Sequence, residues 1–462
     1  MPFSLRLFLV LAFIYLPTGN TIADESTGWA TLFNGANLDG WVQLNGDAEF
    51  RVEGDTIVGI SKLHTPNSFL ATRKSYSDFI LEFEVNVDPR LNSGVQIRSL
   101  SKPNYRDGRV HGYQVEIDPS PRAFSGGIYD EARRGWLYPI SRNPKAHDAF
   151  RNGQWNHVRV EAIGTSIRTW VNGIQCVDLV DSVTQEGFIA LQVHSINDTR
   201  QAGSTVKWRN IKIKTSNLNA EKLRPDPRVP QISFLNNQLT QWEKRKGWRL
   251  LWDGKSSKGW RGANSRHFPK SGWKIKNGVL TIHGSGGKEA ADAGDIITKS
   301  RFSEFELELE FKITEGANSG IKYFVQPQLN KGEGSAIGAE FQLLDDNVHP
   351  DAKQGVNGNR TLGSLYDLIT AENISVPSRA KQFKGLDQWN QARIVSRNGI
   401  VEHWLNNEKI VEYDRSSQTF KALVAYSKYK KWPGFGQWTD GHILLQDHGH
   451  VVSFKNIKIR EF

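Results

Sequence analysis

Acidic, basic and imidazole side chains lie in three short segments of the C-terminal half. Lys322 lies in NSGIKYF, Glu340 in GAEFQLLDD and His403 in VEHWLNN. Side chains two residues apart share a strand face, so Glu340 projects away from the apolar face that contains Phe341. A glutamate, a lysine and a histidine on facing strands form an acid and base set. We predict that Glu340 or His403 is the base and that Lys322 is a cation for a developing oxyanion.

Polar residues on the same strands are candidates for binding a substrate. Gln342 shares a face with Glu340, and in ILLQDHG (443–449) Gln446 shares a face with His448, with Asp447 opposite. Each of these residues taken singly is also compatible with a solvated strand or a structural hydrogen bond. The combination is therefore a stronger indication than any one member.

The sequence predicts no metal site and no cofactor. His442, His448 and His450 are close in sequence, but they lack tight ligand spacing and are more typical of strand and turn residues. A divalent cation such as Ca²⁺, held by Asp345, Asp346 and backbone carbonyls, would leave little trace in sequence and stays open. Asp345 is also a candidate substrate-binding residue.

The elements that must position these residues occur twice in the chain, in the same order. The clearest matches are YSDFILEFEV (76–85) with FSEFELELEF (302–311), NSGVQIR (92–98) with NSGIKYF (318–324), QWNHVRVEA (154–162) with QWNQARIVS (388–396), and WRNIKIK (208–214) with FKNIKIR (454–460). Apolar and polar residues alternate with period two, which is typical of half-buried strands. We predict an all-β protein with two tandem antiparallel β-sandwich or jelly-roll domains at 28–215 and 247–462, joined by a linker at 216–246.

The two copies differ where chemistry is predicted. The alignment pairs Lys322 with Gln96, Glu340 with Gln114, Gln342 with Glu116, His403 with Thr169, Gln446 with Gln192, and His448 with His194. Gln114, Glu116, Gln192 and His194 are candidate substrate-binding residues of the first copy. That copy is expected to bind sugar without cleaving it, or to cleave with Glu116 in another role. The second copy carries loop insertions around 349–361 and 427–440, and insertions of this kind often build sites on a rigid scaffold.

Length and composition narrow the class of protein. At 462 residues the chain exceeds a single hydrophobic core, and the net charge of +10 comes from scattered basic residues that form no nucleic-acid-binding arm. The single cysteine, Cys176, excludes an intrachain disulfide. Residues 1–23 resemble a cleaved signal peptide, with a retained anchor as the alternative, and no later segment is long and apolar enough for a transmembrane helix. We therefore expect a periplasmic or extracellular protein.

The assembled segments resemble the 3-keto-disaccharide hydrolase family, formerly a domain of unknown function. The resemblance is carried by LWDG (251–254), FELELEFK (305–312), NSGIKYF (318–324), GAEFQLLDD (338–346), HPDAKQGVNGNRTLGSLYDLI (349–369), VEHWLNN (401–407) and ILLQDHG (443–449). It covers most of the mature chain twice, more loosely in the first copy. It implies a concanavalin A-like jelly roll and cleavage of 3-keto-glycosides by elimination followed by hydration. It also marks Tyr366, within 349–369, as a substrate-binding candidate.

Two other functions are compatible with the sequence. A retaining glycoside hydrolase needs two carboxylates about 5 Å apart. Glu116 and Asp118 come nearest to this pattern, but Pro121 stands where a third acid would be expected. A non-catalytic, lectin-like protein would use aromatic platforms such as Trp136, Trp432 and Trp438 to bind carbohydrate.

Overall fold

The computed structural model describes residues 23–24, 28–286, 294–330 and 335–462. The predicted signal peptide therefore lies outside the described residues, apart from its last residue, Ala23. Three α-helices fall within these ranges: α1 (Leu218–Glu221), α2 (Gln241–Arg245) and α3 (Gln418–Tyr426). None of the helices in this part of the chain is long and apolar enough to cross a bilayer.

The strands before residue 234 form two sheets, which we call the first sandwich. They are β1 (Ala23–Asp24), β2 (Trp29–Thr31), β3 (Trp41–Asn45), β4 (Glu49–Glu53), β5 (Thr56–Ile60), β6 (Ser68–Thr72), β7 (Phe79–Val87), β8 (Ser93–Leu100), β9 (His111–Ile117), β10 (Ile128–Glu131), β11 (Gly135–Tyr138), β12 (Asn156–Ile163), β13 (Ser166–Val171), β14 (Ile174–Val180), β15 (Phe188–Val193), β16 (Thr205–Lys214) and β17 (Gln231–Ser233). Within the described ranges one sheet has the order β1-β2-β16-β7-β12-β13-β14-β17, with β5 on β16 and β4 on β5. The other has the order β11-β10-β9-β8-β15-β6-β3.

The strands after residue 248 form a second pair of sheets, the second sandwich. They are β18 (Arg249–Leu250), β19 (Trp260–Gly262), β20 (Trp273–Lys276), β21 (Val279–Ile282), β22 (Ile296–Thr298), β23 (Phe305–Ile313), β24 (Asn318–Gln326), β25 (Ile337–Leu344), β26 (Asn390–Arg397), β27 (Ile400–Leu405), β28 (Glu408–Asp414), β29 (His442–Leu445) and β30 (Val452–Glu461). One sheet has the order β20-β21-β30-β23-β26-β27-β28, with β18 on β30. The other has the order β19-β22-β29-β24-β25.

The repeat seen in the sequence is a repeat of topology. The run β16-β7-β12-β13-β14 corresponds to β30-β23-β26-β27-β28, and β9-β8-β15-β6-β3 corresponds to β25-β24-β29-β22-β19. All of these pairs are antiparallel. The all-β sandwich class predicted from period-two alternation is thus the class that is found.

One face of each central strand forms the core between the two sheets. In β23, Phe305, Leu307 and Phe311 are buried. The prediction that this strand is half-buried is wrong for its other face, because Glu306, Glu308 and Glu310 are buried too. A buried carboxylate needs a partner. Each has a cationic one, through Arg393 and Arg460 for Glu306, Lys458 for Glu308, and Lys455 for Glu310. Burial alone would raise the pKa of Glu306, but the two guanidinium groups outweigh it and hold the pKa at about 2.

The segment between the sandwiches packs against both of them. β17 pairs in parallel with β14 of the first sandwich. On the side of the second sandwich, Thr240 caps the N-terminus of α2. The Thr240 hydroxyl accepts from the backbone amide of Glu243, and the Glu243 carboxylate accepts from the backbone amide of Thr240. The other Glu243 oxygen accepts from Lys458 Nζ over 2.6 Å. This buried pair fixes α2 to β30. The domain limits 28–215, 216–246 and 247–462 stay a prediction.

Candidate functional site

The outer face of the five-stranded sheet of the second sandwich carries a pocket of about 340 Å³. Its floor comes from β24, β25 and the residues that follow β29. Its walls come from Asn330, the segment 335–338, Tyr366 and the segment 428–432. The lining residues are Asn318, Lys322, Asn330, Ser335, Ala336, Ile337, Gly338, Glu340, Gln342, Tyr366, Lys428, Tyr429, Lys431, Trp432, Gln446 and His448. A volume of this size is at the lower end for small-molecule sites.

A lysine and a glutamate face each other at the floor of this pocket. The antiparallel register of β24 and β25 sets Lys322 opposite Glu340, and both side chains point out of the core because Ile321, Tyr323 and Phe341 point into it. Lys322 Nζ lies 3.6 Å from Glu340 Oε2. Both residues are about 95% buried. The pair therefore interacts in a medium that screens charge far less than water does.

The ammonium group of Lys322 is held from the other side by a hydroxyl and a second carboxylate. Lys322 Nζ donates to Ser335 Oγ over 2.6 Å, and Ser335 Oγ donates to Asp295 Oδ2. The backbone amides of Ala336 and Asp447 also donate to the Asp295 carboxylate, over 3.1 and 3.0 Å. Burial raises the pKa of Asp295, and the charge of Lys322 opposes that rise. Asp295 thus positions Lys322 without lining the pocket.

Gln342 and Gly320 fix the position of the Glu340 carboxylate. In the amide orientation that satisfies both of its ends, Gln342 Nε2 donates to Glu340 Oε1 over 3.3 Å. A Cβ atom on Gly320 would lie 2.0 Å from Glu340 Oε1, closer than atoms can approach. Only glycine at position 320 leaves this carboxylate where it is.

The opposite wall is built from Tyr366, which follows the inserted loop at 349–361, and from the inserted loop at 427–440. Tyr366 donates its hydroxyl proton to Asp351 Oδ2 over 2.8 Å. The ammonium of Lys428 lies 4.2 Å from the centre of the Tyr366 ring, and although much of this side chain is exposed, partial desolvation lowers its pKa. Burial raises the pKa of Tyr429, so its phenol stays protonated. Trp432 packs beside Tyr429 with ring centres 6.0 Å apart and adds an apolar surface.

Three histidines meet at the edge of the pocket. The ring centres of His349, His448 and His450 lie between 5.7 and 6.3 Å apart. His448 Nδ1 is buried and has no hydrogen-bond partner among the described residues. Among the residues that the structure describes, no group of three or more His, Cys, Asp or Glu side chains could hold a metal ion.

The structure does not bring His403 to the pocket. Val401, His403 and Leu405 share a face, as alternation predicts, but that face points into the core, and His403 is fully buried there. Its Nδ1 donates to the Gly363 carbonyl over 2.9 Å, so its Nε2 accepts from the Tyr323 hydroxyl over 2.8 Å. Burial lowers the pKa of His403 to about 4. We therefore withdraw His403 as a candidate base.

The two aspartates that follow β25 also lie away from the pocket lining. Asp345 is buried, and its carboxylate accepts from the backbone amides of Gly316 and Asn347 over 2.9 and 3.1 Å. It stabilises the turn instead of facing the pocket, so we withdraw it as a substrate-binding candidate. Asp346 pairs with Lys381 over 2.8 Å.

The residues predicted in the first copy lie together on its seven-stranded sheet. Gln114 Oε1 accepts from Gln192 Nε2 over 2.9 Å, and Gln114 Nε2 donates to Glu116 Oε2 over 2.9 Å. Burial raises the pKa of Glu116 to about 7, against the opposing effect of Asn92. His194 lies nearby, and its Nδ1 is 2.6 Å from the Ser195 carbonyl.

Comparison with known proteins identifies the family. A profile of the 3-keto-alpha-glucoside-1,2-lyase-like domain matches residues 28–214 and 247–460, which coincide with the two sandwiches. The chain belongs to this family. A 3-keto-disaccharide hydrolase of Bacteroides thetaiotaomicron is 39% identical over 234 residues, which are 46% of this chain and 78% of that protein.

Two solved structures are similar to part of the chain. A crystal structure of a candidate glycosyl hydrolase from Parabacteroides distasonis is 32% identical, with a TM-score of 0.43, and covers 49% of this chain and 99% of its own. A second structure from the same organism is 25% identical, with a TM-score of 0.36, and covers 46% of this chain and 99% of its own.

Several lining residues of this family member were missed by sequence reasoning. Strand parity found Lys322, Glu340 and Gln342, but it has no access to loops. The walls from Ser335 and Lys428 are set by loop paths that alternation cannot trace. The only available signal was the insertion around 427–440, which alignment of the two copies placed next to the chemistry.

Replacing Gly320 by alanine tests how the Glu340 carboxylate is positioned. The new Cβ would displace the Glu340 carboxylate. We expect Gly320→Ala to lower kcat/KM about 10-fold or more, since small misplacements of reacting groups are costly. The matched control is Gly284→Ala, where the nearest atom is 3.5 Å away, and steady-state kinetics of both variants gives the comparison. Equal activity in the two variants would contradict the assigned position of Glu340.

His403 is expected to make folding of the second sandwich pH-dependent. Its folded-state pKa of about 4 is below the ordinary 6.5, so its stabilising contribution is complete above pH 6.5 and is lost as the pH falls towards 4. The difference corresponds to about 3 kcal/mol. Urea unfolding at several pH values measures the free energy of unfolding. Between pH 6.5 and 4 this free energy should fall less steeply for His403→Gln than for the unmodified chain. Parallel declines would contradict a neutral, buried His403.

Proposed function

We propose that the second sandwich cleaves 3-keto-glycosides by elimination followed by hydration. The observation that supports this most is the buried Lys322–Glu340 pair at the floor of the pocket, with its 3.6 Å separation. Membership of the 3-keto-alpha-glucoside-1,2-lyase-like family and the name of the Bacteroides thetaiotaomicron relative point to the same substrate class. A pocket of about 340 Å³ suits a substrate of one or two sugar rings.

The chemistry needs a base and a cation close together. A ketone at carbon 3 acidifies the hydrogen at carbon 2. Glu340 removes that proton, and the negative charge that develops on the carbon 3 oxygen is stabilised by the ammonium group of Lys322. The carbon 1–oxygen bond then breaks and the aglycone leaves with a proton. Water adds its hydroxyl to carbon 1 and a proton returns to carbon 2, so the net reaction is hydrolysis.

Lys428 is the proposed proton donor to the leaving oxygen. Its ammonium lies at the open wall of the pocket, above the Tyr366 ring, and its pKa is lowered towards the range of a useful acid. The phenols of Tyr366 and Tyr429 are poorer acids, because burial raises both of their pKa values.

Loss of the base should abolish cleavage. With the 3-keto derivative of 4-nitrophenyl glucoside, we expect Glu340→Gln to lower kcat about 10²- to 10⁴-fold and Lys322→Met to lower it about 10²- to 10³-fold. Glu372→Gln, at an exposed loop position outside the pocket, is the matched control and should keep full activity. Release of 4-nitrophenol, followed by absorbance, measures this. Sugar binding without release of 4-nitrophenol by the unmodified chain and by the Glu372→Gln control would favour the lectin-like alternative.

The role of Lys428 predicts a dependence on the leaving group. Lys428→Met should slow cleavage of a 3-keto-disaccharide, whose leaving oxygen is basic, far more than cleavage of the 4-nitrophenyl substrate, whose leaving oxygen needs no proton. Glu340→Gln should slow both substrates alike. An equal effect of Lys428→Met on the two substrates would show that Lys428 does not donate that proton.

We also propose export of the mature protein, on the basis of the apolar run at 7–16 followed by small residues. N-terminal mass spectrometry of protein from the periplasm and the medium tests this. An N-terminus near residue 24 is expected, and intact Met1 would contradict cleavage.

A further inference from the structure

A large cavity lies between the two sandwiches and is lined by residues of both. Its volume is about 1810 Å³, about five times that of the pocket on the second sandwich. The floor comes from β9, β10, β11 and β15 of the first sandwich. The opposite wall is the segment 379–389 of the second sandwich, together with Asn406 and Glu408.

Contacts between the sandwiches hold this wall in place. Asn407 Nδ2 donates to the Leu137 carbonyl over 3.2 Å, and Val376 packs within the hydrophobic core of the first sandwich. Arg142 lies 3.8 Å from Glu308 and covers the Trp404 ring at 5.5 Å. The side chains of these contact residues, Trp404 excepted, are largely shielded from solvent. The packed contacts between the sandwiches therefore define the cavity.

Side-chain amides on the floor form a hydrogen-bonded chain, and the amide oxygen of Gln192 at one end of it has no partner among the described residues. Gln114 Oε1 accepts from Gln96 and Gln192, and Asn92 donates to Glu116 Oε1 over 2.9 Å. Gln192 is completely buried, and its Oε1 has no hydrogen-bond partner among the described residues. A buried acceptor without a partner is unfavourable, and a hydrogen bond from a ligand hydroxyl would remove that cost.

Aromatic side chains supply apolar surface beside these polar groups. Trp136 lies at the cavity with Phe124 and Tyr129 packed edge-on against it, at 5.0 and 5.3 Å between ring centres. Phe383 and Trp389 face the cavity from the second sandwich. Sugar rings offer apolar C–H faces and a rim of hydroxyls, which match a site with aromatic surface and amide groups together.

Three of the arginines that line the cavity are paired with carboxylates. Arg122 Nε donates to Asp118 over 2.6 Å, Arg134 pairs with Asp130 and Asp181, and Arg379 pairs with Glu408 over 3.3 Å. An acidic ligand would have to compete for these partners. The lining therefore favours an uncharged ligand.

The groups proposed for cleavage are replaced here by amides. Strand pairing sets Gln96 opposite Gln114, as Lys322 is set opposite Glu340 in the second sandwich. Glu116 instead lies opposite Gly94, at the position of Gln342. The cation beside Glu116 is Arg122, whose Nη2 lies 3.4 Å from Glu116 Oε1 and whose Nε is already bound to Asp118. No lysine stands across the strands as Lys322 stands across from Glu340, so this floor suits binding.

We propose that the cavity between the sandwiches binds a neutral oligosaccharide chain without cleaving it. Gln192 and Glu116 hydrogen-bond its hydroxyl groups, and Trp136 packs against a ring face. The segment 379–389 closes over the chain, so residues of both sandwiches contribute to one site. This site is separate from the pocket around Glu340 and does not depend on what that pocket does.

Calorimetric titration of the full chain tests the site. Cellohexaose, maltohexaose and laminarihexaose are the probes, added to the Glu340→Gln protein so that cleavage cannot interfere. We expect at least one probe to bind with a Kd of about 1 mM or tighter. Gln192→Leu and Trp136→Ala should each weaken that binding about 10-fold or more, while the control Gln446→Leu, at the equivalent position of the second sandwich, should not.

Hydrogen exchange of the Glu340→Gln chain without further changes gives an independent result if a variant fails to fold. Bound oligosaccharide should protect backbone amides of β9, β10 and 379–389. Protection confined to β24, β25 and 428–432, or weakening by Gln446→Leu to the same extent as by Gln192→Leu, would overturn the proposal. So would the absence of binding by all three probes. None of these results bears on cleavage at Glu340, so failure here leaves the proposed function standing.

Discussion

The antiparallel pairing of β24 with β25 is the constraint on which the candidate site depends. Its register places Lys322 opposite Glu340, and the period-two alternation of a strand turns both side chains out of the core. A charged pair this deeply buried is costly unless its remaining hydrogen-bonding groups are satisfied. Ser335 and Asp295 satisfy Lys322, and Gln342 supports Glu340. On its other side β24 pairs with β29, so it lies inside the sheet.

The duplication shows how one scaffold can carry two different floors. The strand order and register around β8 and β9 repeat those of β24 and β25, so equivalent positions are occupied by Gln96 and Gln114 in one copy and by Lys322 and Glu340 in the other. The carboxylate of the first copy is Glu116, two residues further along the strand. This shift keeps the carboxylate on the same face of the strand, but it places Glu116 opposite Gly94 instead of opposite Gln96. The scaffold is thus conserved between the copies, and the polar groups it presents are not.

Strand parity predicted much of the floor but could not decide between inside and outside. The alternation around Glu340 was unambiguous because its neighbours Phe341 and Leu343 are apolar. In the strand of His403 both faces carry one polar and some apolar groups, and the face with His403 proved to be the core, where Tyr323 and Gly363 bind its ring. Asp345 failed for a different reason. It follows the end of its strand, and the turn takes up its carboxylate. Wall residues such as Lys428 lie in an insertion whose path depends on tertiary packing, and the buried glutamate face of β23 required knowledge of what covers that sheet.

The central claim is that the Lys322–Glu340 pair removes and returns a proton at carbon 2 of a 3-keto sugar. Cleavage in D₂O, followed by NMR of the released sugar at early times, tests it most directly. Elimination and hydration predict one deuterium at carbon 2 in each molecule released, above the level seen when the same product is incubated with the Glu340→Gln protein. Release of a sugar that retains its original hydrogen at carbon 2 would contradict the account.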